Sequence, residues 1–248
     1  MDKQERSIKD EELLQSMYAE YDSLINTASR RARWEYNPEL PDVSDLLKGN
    51  KTFVKVVNSD VMQCVRGLSR MKICVLDFAS YHNPGGGFLR GAVAQEECIC
   101  RETLLYPILN NHRKWYNRHY RESSKLYSND YLYCRKVPIL DSKDDGFQWV
   151  DFLVMAAPQN VKEVPDDIYD KILYLRQLHA YLAPVTQNQE VDTLVLGAWG
   201  CGVFKNDPEK VAENWKDITN KYSGLYRRVF HPILDEKTYK IFEGVYAK

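Results

Sequence analysis

The sequence predicts an α/β fold around a largely central sheet, and three observations predict it. Five short runs rich in Val, Leu, Ile and Phe read as strands buried on both faces: FVKVV (53–57), KICVLDFA (72–79), DFLVMAA (151–157), DTLVLGAW (192–199) and RVFHPIL (228–234). Helical stripes separate most of them. At 248 residues and 44% hydrophobic content, the chain can bury one substantial core.

In chain order, Leu14, Met17, Tyr18, Tyr21, Ile25 and Ala28 recur at helical spacing, until the two prolines of YNPELPD break the pattern. Residues 1–45 are therefore expected to form a helical extension packed on a domain spanning 46–248. After the first strand, Val61, Cys64, Val65 and Leu68 form a stripe that Ser59 is placed to cap. Gln95, Glu96 and Glu97 open a helix whose inward stripe includes Cys98, Leu105 and Leu109, and which Pro107 should end or kink. Residues 111–149 are tyrosine-rich, polar and weakly periodic, and read as an excursion from the sheet. Ile168, Ile172, Leu175, Leu178 and Leu182 mark a further helix after Pro165, which suits a first turn.

Composition removes several function classes. A formal charge of −1 supplies no global field to recruit a polyanion or membrane, so an anionic ligand must be captured by local geometry. The N-terminus MDKQERSIKDEELL lacks the apolar core of a signal peptide, and no apolar run approaches the roughly 20 residues that span a bilayer. The expected location is cytoplasmic, or nuclear in a eukaryote. Six cysteines occur without any C-x-x-C, several within apolar runs, and read as reduced and mostly buried. His112 and His119, flanked by arginine and tyrosine, read as solvated surface groups, and no metal is expected.

Chemistry is carried by two glycine constellations. The first, NPGGGFLRGAVAQEE (83–97), leaves the C-terminal end of a buried strand, where open α/β sheets bind ligands. Gly85, Gly86 and Gly87 remove three consecutive β-carbons, which suits either close approach of main-chain amides to a ligand or a sharp bend. No Gly-Lys-Ser/Thr follows, so the loop is not that of a nucleoside triphosphatase. The helix dipole alone accommodates Glu96 and Glu97 in a first turn. On a helix they diverge by about 100°, so one suits the chemistry and the other positioning. The second constellation, LVLGAWGCGVFKNDPEKVA (194–212), runs from a strand through Gly197, Gly200 and Gly202 to an Asp207-Pro208 helix start. It suits either a diphosphate cradle walled by Trp199 and Phe204, or a glycine-rich turn with core aromatics.

These motifs resemble those of a known family. NPGGGFLRGAVAQEE resembles the Gly-Gly-Gly…Gln-Glu-Glu signature of poly(ADP-ribose) glycohydrolases, and LGAWGCGVFKNDP resembles the second signature loop of the bacterial-type branch. The likeness continues through VVNSD (56–60), YPIL (106–109), VPIL (137–140) and AAPQN (156–160), covering roughly residues 12–248. In AAPQN, Gln159 stands where the family more often has a direct Ala-Pro-Asn.

The resemblance implies a macrodomain-like three-layer αβα sandwich with a central mixed, largely parallel sheet. It also implies a metal-independent hydrolase, without a cofactor, that cleaves the ribose O-glycosidic bond of poly(ADP-ribose) or of ADP-ribosylated macromolecules. By the same carry-over, Glu97 is the catalytic acid, Glu96 holds the leaving ribose hydroxyls and Asn83 positions the ribose under attack. Gly85, Gly86, Gly87 and Gln95 complete the ribose side. Gly200, Cys201, Gly202, Val203 and Phe204 form the second loop. Ser59 and Asp60 lie where a macrodomain contacts the base, although a helix N-cap explains them equally.

Glu97 needs burial to act as an acid near neutral pH. In RKWYNRHYRESSK (113–125), five basic side chains stand against one acid, with Trp115, Tyr116 and Tyr120 interleaved. Such a segment either tracks an ADP-ribose polymer or is a solvated helical face. The expected partner is a polymer or an ADP-ribosylated protein, with nucleic acid only as a modified target, no membrane, and a monomeric enzyme. A non-catalytic reader of ADP-ribose, or a hydrolase or sensor of a small ADP-ribose derivative, remains the alternative.

Overall fold

A computed structural model describes residues 1–47, 49–68, 70–122, 124–140 and 146–247. Its elements are, in order, α1 (Lys3–Arg31), β1 (Arg33–Glu35), β2 (Phe53–Val57), α2 (Val61–Arg66), β3 (Ile73–Phe78), α3 (Gln95–Glu102), α4 (Leu105–Asn111), α5 (Arg113–His119), β4 (Tyr131–Pro138), β5 (Trp149–Met155), α6 (Asp166–Gln187), β6 (Thr193–Val195), α7 (Pro208–Lys221), β7 (Arg228–Pro232) and α8 (Glu236–Ala247). The strands run in the order β1-β4-β5-β3-β6-β7-β2, a mixed α/β arrangement. The chain forms two compact units, one made of 1–35, 77–123 and 131–156, the other of 36–76, 124–130 and 157–248.

In the first unit, β4 pairs antiparallel with both β1 and β5. The excursion expected at 111–149 thus contains a strand, because Tyr131, Leu132, Tyr133 and Cys134 are all buried and its tyrosines take the place of aliphatic side chains. A register shift between Cys134 and Val137 weakened the pattern. There Lys136 takes φ 54° and its amide donates to Asp151 Oδ1 at 2.8 Å.

Helix α1 opens on a capping box between Asp2 and Glu5 and buries Met17, Ile25 and Ala28 from the expected stripe. It rests on α4, on β4 and on the turn Phe88–Arg90 that closes the first glycine loop. Ser7 Oγ donates to Leu89 O at 2.6 Å, Arg6 Nη1 to Gly91 O at 2.8 Å, and Asp10 takes a two-pronged ion pair from Arg101 at 2.8 and 2.7 Å. The N-terminal helix therefore braces the loop.

In the second unit, β3, β6, β7 and β2 form a parallel series. The run expected as a strand over 192–199 leaves the ladder after Val195, two residues before Gly197 turns left-handed at φ 63°. Helix α2 is capped by Asp60, not Ser59: the Asp60 carboxylate accepts from Gln63 N at 2.8 Å, which puts the cap one residue later than expected. Helix α6 turns differently from the expected stripe. Ile168 and Leu175 are 47% and 46% exposed, whereas Tyr169, Leu173, Gln177 and Leu178 are buried, together with every residue from Arg176 to Val185. A helix buried nearly all round over its second half carries no readable stripe there.

Candidate functional site

Strand β3 carries an acid where apolar residues surround it, and its end starts the first glycine loop. Phe78 N donates to Gln95 Oε1 at 2.8 Å, Ser80 N to Glu96 Oε2 at 2.8 Å and Gly87 N to Glu97 Oε1 at 2.7 Å. Each residue of the Gln-Glu-Glu triplet therefore takes one backbone amide from the strand end or the loop wrapped over the start of α3. The helix dipole alone would have left the two glutamates in solvent, yet they are only 3% and 6% exposed.

Gly86 is where both acids converge. It adopts φ +58°, and a β-carbon there would lie 2.6 Å from Glu97 Oε1 and 2.8 Å from Glu96 Oε2. Side-chain length and the encircling loop overcome the divergence of neighbouring helical positions. The turn is closed by Gly86 N to Asn83 O at 3.0 Å and Phe88 N to Gly85 O at 3.0 Å. Phe88 anchors it in a pocket with Cys100 and Tyr106.

Glu96 Oε1, Glu97 Oε2 and both carboxylate oxygens of Asp77 are buried without a hydrogen-bond partner among the described residues. Burial, reinforced by the Asp77 carboxyl, holds Glu96 well above the usual carboxylate range. Burial, reinforced by Glu97, does the same to Asp77, which is completely enclosed. Three carboxyl groups thus crowd one dry place, and burial favours the protonated form of Asp77 and Glu96 beside Glu97, an arrangement that suits proton transfer. Asp77 was missed in the sequence, although it is the one charge inside CVLDFA.

Asn83 is half-buried, with its side-chain Oδ1 accepting from Tyr120 Oη at 2.9 Å. Beside it, His119 Nδ1 donates to Tyr81 O at 2.7 Å and the ring stacks on Tyr81 at 4.0 Å. His119 is fully buried, and His112 packs edge-on against Trp34 with Nε2 3.0 Å from Ser29 O, so neither is the solvated group expected. Both were misread because their polar neighbours in sequence point elsewhere. Among the described residues, no group of three or more His, Cys, Asp and Glu is placed to hold a metal ion.

The basic segment is likewise changed: Trp115 and Tyr116 are 1% and 0% exposed and face inward from α5, leaving Tyr120 as its exposed aromatic at 61%. Those two rings cannot stack on a polymer. Cys98 is only half-buried, so the inward stripe of α3 runs instead through Glu96, Glu97, Ile99 and Cys100. Pro107 sits in the first turn of α4 rather than ending α3, which stops at Glu102.

The second glycine loop lies in the other unit. Gly200 adopts φ +78°, and a β-carbon there would meet Asn206 Nδ2 at 2.2 Å and Ala157 Cβ at 2.7 Å. Asn206 is buried and satisfied: Nδ2 donates to Pro158 O at 3.1 Å, Oδ1 accepts from Tyr169 Oη, and N donates to Gly200 O at 3.1 Å. Asn160 N donates to Phe204 O at 2.9 Å, fastening the turn, and the Phe204 ring packs edge-on against Tyr127 at 5.6 Å. Gly202 borders open space and Val203 is 77% exposed. Trp199 is fully buried and belongs to the core with Trp215, so only Phe204 of the two expected walls reaches the loop surface.

Cys201 is partly exposed, its thiol pushed up to about 12 by burial and then by Asp207, so it is inert as a nucleophile. Asp207 caps α7 through Glu209 N at 3.0 Å, with Pro208 following, as expected. Ser59 Oγ is buried without a partner among the described residues, whereas the Asp60 carboxylate is spent on α2.

A family model for the microbial-type PARG catalytic domain matches residues 8–142. No curated protein matches. Among solved structures, poly(ADP-ribose) glycohydrolase from Thermomonospora curvata is 26% identical with a TM-score of 0.86, over 98% of this chain and 99% of that one. The same enzyme bound to the inhibitor ADP-HPD is 27% identical with a TM-score of 0.84, over 97% and 99%. Poly(ADP-ribose) glycohydrolase from Deinococcus radiodurans in complex with ADP-ribose is 28% identical with a TM-score of 0.78, over 89% and 96%.

Proposed function

This chain belongs to the microbial-type poly(ADP-ribose) glycohydrolase (PARG) family, and from that premise we propose that it cleaves the ribose O-glycosidic bond of poly(ADP-ribose) and releases ADP-ribose. The observation that carries the chemistry is the convergence of Glu96 and Glu97 beneath Gly86, each with one oxygen fixed by a backbone amide and the other buried and unpartnered.

In the reaction, Glu97 protonates the leaving oxygen as the anomeric C–O bond breaks and its electron pair departs with that oxygen. The ribose becomes oxocarbenium-like. Water then adds to the anomeric carbon and returns a proton to the Glu97 carboxylate, restoring the acid. Backbone donation fixes Glu97 Oε1, which leaves Oε2 for proton transfer. Glu96 holds the leaving ribose hydroxyls. Asn83 and the Gly85–Gly87 backbone hold the ribose under attack, while Gln95 keeps the end of β3 registered on α3 through Phe78.

In the second unit, Gly200, Cys201, Gly202 and Val203 offer a turn for the diphosphate, with Phe204 as the ribose-covering ring. On the adenine side, Ser59, with its unpartnered hydroxyl oxygen, is better supported than Asp60. On this reading the enzyme acts as a monomer, and nucleic acid enters only as an ADP-ribosylated target.

The test is incubation of the wild type with automodified, polymer-bearing protein, resolving free ADP-ribose and polymer length by chromatography and gel. Free ADP-ribose with shortening chains is expected. ADP-ribose binding without release would make the chain a reader, and release confined to small ADP-ribose derivatives would exclude the polymer as substrate.

A further inference from the structure

The end of α5 is clamped to the residues that precede the first glycine loop, and the clamp reaches the ribose-positioning asparagine. His119 contacts Tyr81 O at 2.7 Å and stacks on the Tyr81 ring. The Tyr81 hydroxyl donates to Glu122. The Tyr120 ring stacks on His82 with centroids 5.2 Å apart and planes 28° from parallel, and its hydroxyl donates to Asn83 Oδ1 at 2.9 Å. Residues 119, 120 and 122 thus hold residues 81, 82 and 83.

One member of the clamp differs from the rest. His119 is fully buried, whereas Tyr120 is 61% exposed. An exposed tyrosine contributes little to a core, yet this one has both its ring face and its hydroxyl committed to the loop.

The hydroxyl decides how the Asn83 amide is used. A primary amide has an accepting oxygen and a donating nitrogen on opposite sides of one plane. Once Oδ1 accepts from Tyr120, the plane is fixed and Nδ2 is turned the opposite way. No hydrogen bond from Nδ2 is made among the described residues. The free donor suits a sugar oxygen, and without the phenol the amide can rotate and present its oxygen instead.

We infer that Tyr120 is a positioning residue for glycoside cleavage: its phenol locks the Asn83 side chain with the amide nitrogen presented to the ribose under attack. The inference rests on the glycohydrolase reading and on the role proposed for Asn83. Misorientation by a rotating amide harms the transition state more than ground-state binding, because most of the substrate is held elsewhere.

The test is a double-mutant cycle in the full chain, with kcat and KM for ADP-ribose release measured separately on polymer. Tyr120→Phe keeps the ring and its stack on His82 and removes only the oxygen. It should lower kcat about tenfold and leave KM within about twofold. Asn83→Ala should cost more. Adding Tyr120→Phe to Asn83→Ala should cost nothing further, because the phenol then has no amide to orient.

Thermal unfolding of Tyr120→Phe within about 2 °C of wild type confirms that the readout is catalytic rather than structural. An unaltered kcat in Tyr120→Phe, or losses that multiply in the double variant, would overturn the inference while an active wild type left the functional reading intact. A wild type that releases no ADP-ribose would overturn both.

Discussion

The two glycine loops are built alike and used differently. Each leaves a strand, turns through left-handed glycines and ends at a helix start. In the first, the space beside Gly86 is filled by two carboxylates, each retaining a buried oxygen with no partner among the described residues. In the second, the space beside Gly200 is filled by the Asn206 amide, whose oxygen and nitrogen are both satisfied. A buried polar group left unpaired is costly, and it persists where function uses it. A satisfied amide is scaffolding. On the reading proposed above, the chemistry belongs to the first loop and the second holds a shape.

Placing the same methyl group in each loop breaks the comparison most sharply. Gly86→Ala drives a β-carbon into Glu97 and Glu96 and imposes φ +58° on an L-residue, so polymer cleavage per folded molecule should fall by about 10³-fold or more. Gly200→Ala meets the buried Asn206 amide and Ala157 instead. It should cost stability, about 2–4 kcal/mol by denaturant unfolding, with kcat for the folded fraction within about tenfold of wild type. Equal catalytic losses in the two folded variants would show that the loops are not divided in this way.

Asp77→Asn sharpens the first half of the comparison with a smaller effect. Burial, then Glu97, holds the folded Asp77 carboxyl well above its ordinary value, while in the unfolded chain it ionises near pH 4. Above about pH 4 the folded state therefore holds a proton that the unfolded state has released, and stability falls as pH rises by up to about 1.4 kcal/mol per pH unit. The asparagine variant is free of this penalty. Its melting temperature relative to wild type should rise between pH 5 and pH 8 by several degrees, on the order of 2–4 °C per kcal/mol, whatever its constant packing cost. A difference that stays flat with pH would mean that Asp77 is not held protonated.

Much of this division was legible in the sequence. The glycines and the Gln-Glu-Glu triplet announced a strand, a close-approach loop and a helix start, and FVKVV and RVFHP became strands. FVKVV, however, was expected to be buried on both faces and, as the last strand in the sheet order, buries none of its residues, with Phe53 55% exposed. What stayed hidden depended on which way side chains turn. Trp115, Tyr116 and His119 looked like a polar, solvated stretch because arginines and lysines surround them, and only the helix phase buries them. Strand β4 was concealed by a bulge and by tyrosines where aliphatics are usual. The hydrogen bond from Tyr120 to Asn83 joins positions 37 residues apart, a pairing that no local pattern specifies. Asp77 alone was readable and overlooked.

The most direct test of the account is Glu97→Gln, with single-turnover release of ADP-ribose from polymer measured beside the dissociation constant for ADP-ribose. Glutamine keeps the shape and can still accept from Gly87 N, but it cannot deliver a proton from Oε2. The account predicts release slowed about 10³-fold with affinity within about threefold of wild type. Release within tenfold of wild type would contradict it, and would move the acid to another member of the carboxyl cluster.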